Sequence, residues 1–254
     1  MDGDLLPLIA AVFAVIAFLY GSVGLGGGSA YIAVMAVVGV DHNTAPVIAL
    51  VLNLVVAGGG LLHYGRGGHL RTRVIAPLVL ASFPAAFFAA QIPIGRIAFQ
   101  LLLGIALMVA GLRMIASGWV ARQVVEQPRE AKVWLLLVLG AGLGALAGIT
   151  GIGGGIYLAP VLILGRLATP KQTAGVCAAF IVLNSVAGLA GRVTTGITMP
   201  WELLIPLGLT VLVFGQLGSL TGARRLRPVT IQATFGGILV LVAMRILVGL
   251  YGNI

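Results

Sequence analysis

Apolar residues run through this chain in long blocks, and polar positions cluster in the short breaks between them. Ten apolar segments stand out. They lie at roughly 5–23, 28–40, 44–63, 74–91 and 96–115, then at 133–149, 155–165, 172–191, 202–221 and 229–250. The breaks fall at glycine clusters, prolines and charges, which end helices. Most blocks approach the ~20 residues that carry a helix across the hydrocarbon core. The pattern predicts an all-α polytopic membrane protein with a single membrane domain over residues 1–254.

The segments also repeat. Gly24-Leu25-Gly26-Gly27-Gly28 returns as Gly151-Ile152-Gly153-Gly154-Gly155. About twenty residues after each comes a Thr-Ala pair, Thr44-Ala45 and Thr173-Ala174, and then an asparagine in a long apolar helix, Asn53 and Asn184. Near the end of each half, Gln100, Gly104 and Arg113 match Gln232, Gly236 and Arg245 at one fixed offset. Matches kept in this order predict two copies of one unit. The first repeat is 1–118, a basic cytoplasmic linker covers 119–132, and the second repeat is 133–254. Five segments per unit is an odd number, so the second unit lies inverted relative to the first. The second segment of each unit is short for a crossing. The parity holds whether the first two segments span twice or form a re-entrant hairpin.

Charge gives an independent test. With the N-terminus outside, twelve of the fifteen lysines and arginines fall in the inner loops, leaving Arg96, Arg192 and Arg245 outside. That is the bias expected of cytoplasmic loops. It places both termini outside in a multi-pass protein of the cell membrane, the inner membrane in a Gram-negative cell. The first segment follows Asp2 and Asp4 rather than a basic stretch, so it reads as a mature helix and not a cleaved signal.

Composition agrees. Hydrophobic residues make up 60% of the chain and charged ones only 8%, whereas a soluble domain carries about a quarter charged. Lipid, unlike water, does not require a charged surface. The net charge of +9 is then the loop bias again, and not a nucleic-acid footprint, because no basic stripe lies on a polar fold. The single cysteine, Cys177, rules out a disulfide within the chain and makes a cysteine metal site improbable. His42, His63 and His69 are scattered, so no metal site and no cofactor is expected.

The glycine clusters mark the candidate site. Each glycine inside a helix costs about 1 kcal/mol relative to alanine, and three in a row exceed what a packing face needs. A broken helix explains them. Its unwound backbone can approach a ligand, and the half-helix that follows directs free N–H groups and partial positive charge at an anion. The candidate substrate-binding residues are Gly24, Gly26, Gly27, Gly28, Ser29, Asn53, Thr150, Gly151, Gly153, Gly154, Gly155 and Asn184. The two asparagines serve equally well as interhelical hydrogen-bonding groups. Ser22, Ser29 and Thr150 could equally satisfy broken backbone. Gly140, Gly144 and Gly148, at four-residue spacing, read as a helix-packing seam. Thr44 and Thr173 read as helix caps, and Arg113 and Arg245 as side chains reaching for headgroups. Neither cluster is a nucleotide loop, since Ser29 and Ile156 take the place of the last glycine and no βαβ unit surrounds them.

The duplicated glycine motif, the downstream Thr-Ala and Asn, the length and the basic central loop together resemble the sulfite exporter TauE/SafE family, also called the toluene sulfonate uptake permease family. The resemblance covers nearly the whole chain. It implies transport of sulfite, organosulfonates or similar small sulfur anions, in either direction. The positions that carry over are Gly24 to Gly28 and Gly151 to Gly155. The residues themselves favour an anion, because carboxylates, the usual cation ligands, are scarce in the apolar segments. The expected function is a secondary transporter working by alternating access, with the lipid bilayer and a small anion as its partners. No nucleic acid is expected, and coupling to protons through His63 and any oligomeric state stay open. The competing readings are an anion channel and an intramembrane serine hydrolase built on Ser22 and His63, the latter without a Gly-x-Ser-x-Gly motif.

Overall fold

The computed structural model describes residues 5–120, 128–197, 199–224, 237, 240–244 and 246–249. Residues 121–127 of the linker, Gln232, Gly236, Arg245 and both termini lie outside the described residues. Among the described residues there is no strand. Helices follow one another among the described residues: α1 (Leu5–Gly21), α2 (Gly28–Val37), α3 (Thr44–Arg66), α4 (Thr72–Ala89), α5 (Arg96–Val120), α6 (Val133–Thr150), α7 (Gly155–Leu164), α8 (Pro170–Thr194) and α9 (Trp201–Arg224). Residues 240–244 and 246–249 are also helical.

Six of these helices are long and apolar enough to cross a membrane: α3, α4, α5, α6, α8 and α9. The half-length helices α2 and α7 have ten residues each, or about 15 Å of rise, half of a hydrocarbon core. Their starts explain why they are short. Gly27 and Gly154, just before them, adopt left-handed backbone with φ of 88° and 78°, a conformation that side chains with a Cβ resist.

Burial separates centre from periphery. In α3 and α8, 67% and 72% of the spanning residues are buried, against 28% to 35% in the other four. These two pack on each other at the core. α1 packs against α9 and α4 against α6, while α9 also meets α3 and α4 meets α8. The half-helix α2 leans on α3, and α7 on α8. α5 touches both half-helices. The outer helices turn leucine, valine and phenylalanine outward, Leu80 and Phe88 among them, as lipid-facing helices do. Trp134 and Trp201 stand exposed in the first turns of α6 and α9, where interfacial anchors belong.

Backbones meet closely wherever glycine permits. Gly140, Gly144 and Gly148 of α6 face the backbone of Leu78, Ser82 and Ala86 of α4; a Cβ on Gly144 would lie 2.6 Å from the Cα of Ser82. This is the packing seam read from the four-residue spacing. A second seam joins α9 to α1, where Gly218 and Gly222 face Phe18 and Ser22. Thr173 and Thr44 do not cap. The α8 cap is Thr169, in a reciprocal capping box with Gln172, because Pro170 starts that helix three residues before Thr173.

The basic loops gather on one face of the bundle. The Arg71 guanidinium donates to the carbonyl of Leu167, and the Arg129 amide donates to the Arg166 carbonyl at 2.8 Å. Arg73 pairs with Glu130 at 3.1 Å, and Lys171 donates to Ala223 at the end of α9 at 3.3 Å. Three chain segments that are distant in sequence thus bring their cations to the same side, beside the end of α9.

Candidate functional site

The two glycine loops approach one side chain from opposite ends of α3. The first loop runs along the C-terminal half of that helix. The Tyr64 hydroxyl donates to the Ser22 carbonyl at 2.8 Å, and a Cβ on Gly60 would lie 3.7 Å from the Cα of Gly24. The second loop begins beside the first turn of α3, where Gly151 faces Pro46. Both reach Asn53. Its Oδ1 accepts from the Gly28 amide at 2.9 Å, and its Nδ2 donates to the Ile152 carbonyl at 3.1 Å. Asn53 is fully buried, so both halves of its amide find the partners that burial demands. The oxygen takes one of the four orphan amides at the start of α2.

The glycines are needed because nothing larger fits. At Gly26 and Gly28 a Cβ would run into the Asn53 amide, and at Gly153 it would lie 2.8 Å from Asn53 Nδ2. Gly24, Gly151 and Gly153 all have positive φ, as the tight reversal between a full helix and a half-helix requires. The sequence-derived residues Gly24, Gly26, Gly27, Gly28, Ser29, Asn53, Gly151, Gly153, Gly154 and Gly155 therefore lie in or against the two loops, and Asn53 ties the loops together.

Two expected residues serve locally. The Thr150 hydroxyl donates to Leu146 in its own helix at 2.6 Å and accepts from the Ile152 amide at 3.4 Å. Asn184 donates to Phe180, also in its own helix, at 2.8 Å, and its Oδ1 has no hydrogen-bond partner. The site is therefore not symmetric at its asparagines.

Between the loops lies a small cavity of about 10 Å³, bounded by Tyr20, Gly26, Gly27, Gly28, Ser29, Ile152, Ile156 and Ile181. It holds about one water. The Tyr20 and Ser29 hydroxyls are buried within reach of each other, and neither has a hydrogen bond to any other described residue. Tyr20 was missed in the sequence. The signal was a hydroxyl-bearing aromatic four residues before the first glycine of the motif, in an otherwise apolar helix. A larger cavity of about 380 Å³ opens beside the C-terminal end of α2, with Asp41, His42, Arg96, Phe99 and Gln100 in its wall. Partial burial works to raise the Asp41 carboxyl. Hydrogen bonding from the Asn43 amide and the neighbouring His42 ring outweigh it and hold the group below its usual range.

The remaining polar candidates have other partners. The Ser22 hydroxyl donates to Leu19 at 2.7 Å, while His63 Nδ1 sits 2.8 Å from the Ser219 hydroxyl, so the Ser22–His63 pairing is not formed. Arg192 is buried and donates to the Gly148 and Ile149 carbonyls at 3.0 and 2.9 Å. It neutralises the negative end of α6 instead of standing free to attract substrate. Among the described residues no cluster of metal-ligating side chains occurs.

The family model described as sulfite exporter TauE/SafE matches residues 8–246. A protein of Sinorhizobium fredii (strain NBRC 101917 / NGR234) named "Probable membrane transporter protein y4hK" is 30% identical over 253 residues, covering 97% of this chain and 100% of that protein. No solved structure matches the chain.

Proposed function

The chain belongs to the sulfite exporter TauE/SafE family, and from that premise we propose that this multi-pass membrane transporter is a secondary carrier of small sulfur-containing anions, sulfite or organosulfonates, working by alternating access. The observation that carries the reading is the Asn53 tie. One side chain joins the amide end of α2 to the loop that precedes α7, so two broken helices end at one point inside the bundle. Such ends supply N–H groups and partial positive charge without a carboxylate.

The pairing of helices supports an inverted repeat of residues 1–118 and 133–254. Exchanging α1 with α6, α3 with α8 and α4 with α9 turns the α1–α9 contact into α6–α4, and α3–α9 into α8–α4. Approach of the loops from opposite ends of α3 has the same sense. The face that gathers Arg71, Arg73, Arg129, Arg166 and Lys171 is then cytoplasmic, the termini lie outside, and the cavity beside Arg96 and His42 is an outer vestibule. The small volume between the loops favours a carrier in an occluded conformation over an open channel. Its substrate volume forms when one repeat moves against the other.

The test is counterflow in proteoliposomes. Vesicles loaded with unlabelled sulfite or methanesulfonate are expected to take up the labelled anion faster than empty ones, with saturation. Purified, folded protein that exchanges none of these anions would remove the reading.

A further inference from the structure

The space between the glycine loops has room for about one water, too little for an anion of any kind. The cavity of about 380 Å³ beside α2 is of another order. It falls in the range of about 300–1,000 Å³ that pockets for small organic ligands occupy. The C-terminal half of α2, the loop and first turn that open α3, the start of α5 and Ile246 build its wall.

Polar and apolar residues divide this wall by depth. Ile32, Ala45, Phe99 and Leu103 are buried and form the floor. Asp41 and Arg96 are exposed, and His42 and Gln100 half-buried, so these four form the rim. The two charges of the rim are not equally free. Asp41 Oδ2 accepts from the Asn43 amide at 2.9 Å, and its Oδ1 lies 3.1 Å from His42 Nδ1. The Arg96 guanidinium has no hydrogen bond or ion pair to a described residue, and the Gln100 side chain has no hydrogen bond to one.

A free cation and a free amide at the mouth of an apolar floor define a chemical complement. An acidic head matches the guanidinium, and an apolar body takes the floor out of water. Bare sulfite has no body to offer. The cavity also reaches toward the loops: Ile32 lies about 6 Å along α2 from Gly28, whose amide Asn53 holds.

We propose that this cavity is the outer loading site of the carrier and that it takes small amphipathic organic monoanions, with the acidic head at Arg96 and Gln100 and the apolar body over Phe99 and Leu103. The inference rests on the anion-transport reading and adds to it a second site and a preference for anions that carry an apolar body.

The experiment measures binding to purified protein in phosphatidylcholine nanodiscs, with empty nanodiscs as the blank. Three probes separate head from body: butane-1-sulfonate, methanesulfonate and the uncharged butane-1-sulfonamide. The wild type is expected to bind butanesulfonate about tenfold or more tightly than either of the others, because each buried methylene adds affinity. Arg96→Gln is expected to weaken butanesulfonate by about tenfold and leave the sulfonamide unchanged. Ala36→Trp, at an exposed position of the cavity wall, fills the space and is expected to abolish binding of both. Neither change touches the buried core.

Equal affinity of the wild type for butanesulfonate and methanesulfonate would overturn the proposal. So would wild-type butanesulfonate affinity in either variant. If added phosphatidylglycerol lowers butanesulfonate affinity as far as Arg96→Gln does, the cavity belongs to a lipid headgroup, and the proposal falls. Methanesulfonate counterflow is run beside the binding assay. Counterflow without butanesulfonate binding overturns the loading site and keeps the transport reading. Butanesulfonate binding by protein that exchanges no anion brings down the transport reading and leaves the binding site standing.

Discussion

Asn53 of α3 and Asn184 of α8 are both fully buried asparagines, yet only Asn53 spans the two glycine loops. Its amide bonds Gly28 on one side and Ile152 on the other, whereas Asn184 bonds Phe180, one turn back in its own helix. Replacing Asn53 with alanine strands a buried amide and a buried carbonyl, at about 1–3 kcal/mol each. Asn184→Ala removes a bond to a carbonyl within its own helix and also removes an unpartnered oxygen, so its net effect is within about 1 kcal/mol. Melting temperatures in detergent should therefore fall clearly for Asn53→Ala and hardly for Asn184→Ala. Equal losses for the two would remove Asn53 as the joint between the loops.

The seam between α4 and α6 makes a separate prediction. Gly144 lies against the Ser82 backbone, while Gly142, two residues earlier, has open space around a Cβ. Gly144→Leu must push the helices apart and should abolish accumulation of folded protein. Gly142→Ala meets nothing and gains helix propensity of up to about 1 kcal/mol. Size-exclusion profiles of the two variants are the check. A monodisperse Gly144→Leu protein with wild-type melting would show that the helices need no contact there.

Gly27 and Gly154 connect geometry to transport. Both precede a half-helix with left-handed backbone, which costs another residue about 1–2 kcal/mol. A Cβ on Gly27 would also lie 2.9 Å from the Tyr31 ring, and one on Gly154 would lie 2.8 Å from the Phe180 ring. Leucine at either position is expected to leave an inserted protein whose anion exchange is lost. Proteoliposome counterflow beside an expression control reads this out. Full transport by both variants would take the loops out of the site.

Much of this fold was legible because hydrophobic length and glycine are strong signals. The breaks at Gly24 to Gly28 and Gly151 to Gly155 mark where α1 and α6 end and α2 and α7 begin, and the spacing of Gly140, Gly144 and Gly148 marked a packing seam on α6 without naming α4 as its partner. The candidate site was legible only in part. Asn53 stood out as an amide in an apolar helix, but the sequence cannot say which partners an amide finds across the bundle. Its equivalence to Asn184 suggested a symmetric role, which the hydrogen bonds do not follow. A single hydroxyl at the end of the apolar helix α1 does not by itself mark Tyr20 as part of the site. Thr173 looked like a cap because the start of α8 was placed two residues late, beyond Pro170.

His69 supplies a pH test on the basic face. It lies between α3 and α4, and burial, followed by the positive charge of Lys171, lowers its pKa below the ordinary value of 6.5. The unfolded chain then takes up the proton at higher pH than the folded protein does. The stability linked to this group is present in full above about pH 6.5, and it is lost as the pH falls through the depressed folded value. Between pH 8 and pH 5 the melting temperature of the wild type should therefore decline more steeply than that of His69→Gln, and Lys171→Gln should reduce the wild-type decline in part. Parallel pH profiles for the wild type and His69→Gln would mean that the imidazole sits in ordinary solvent and that the α3–α4 loop is not packed against the start of α8.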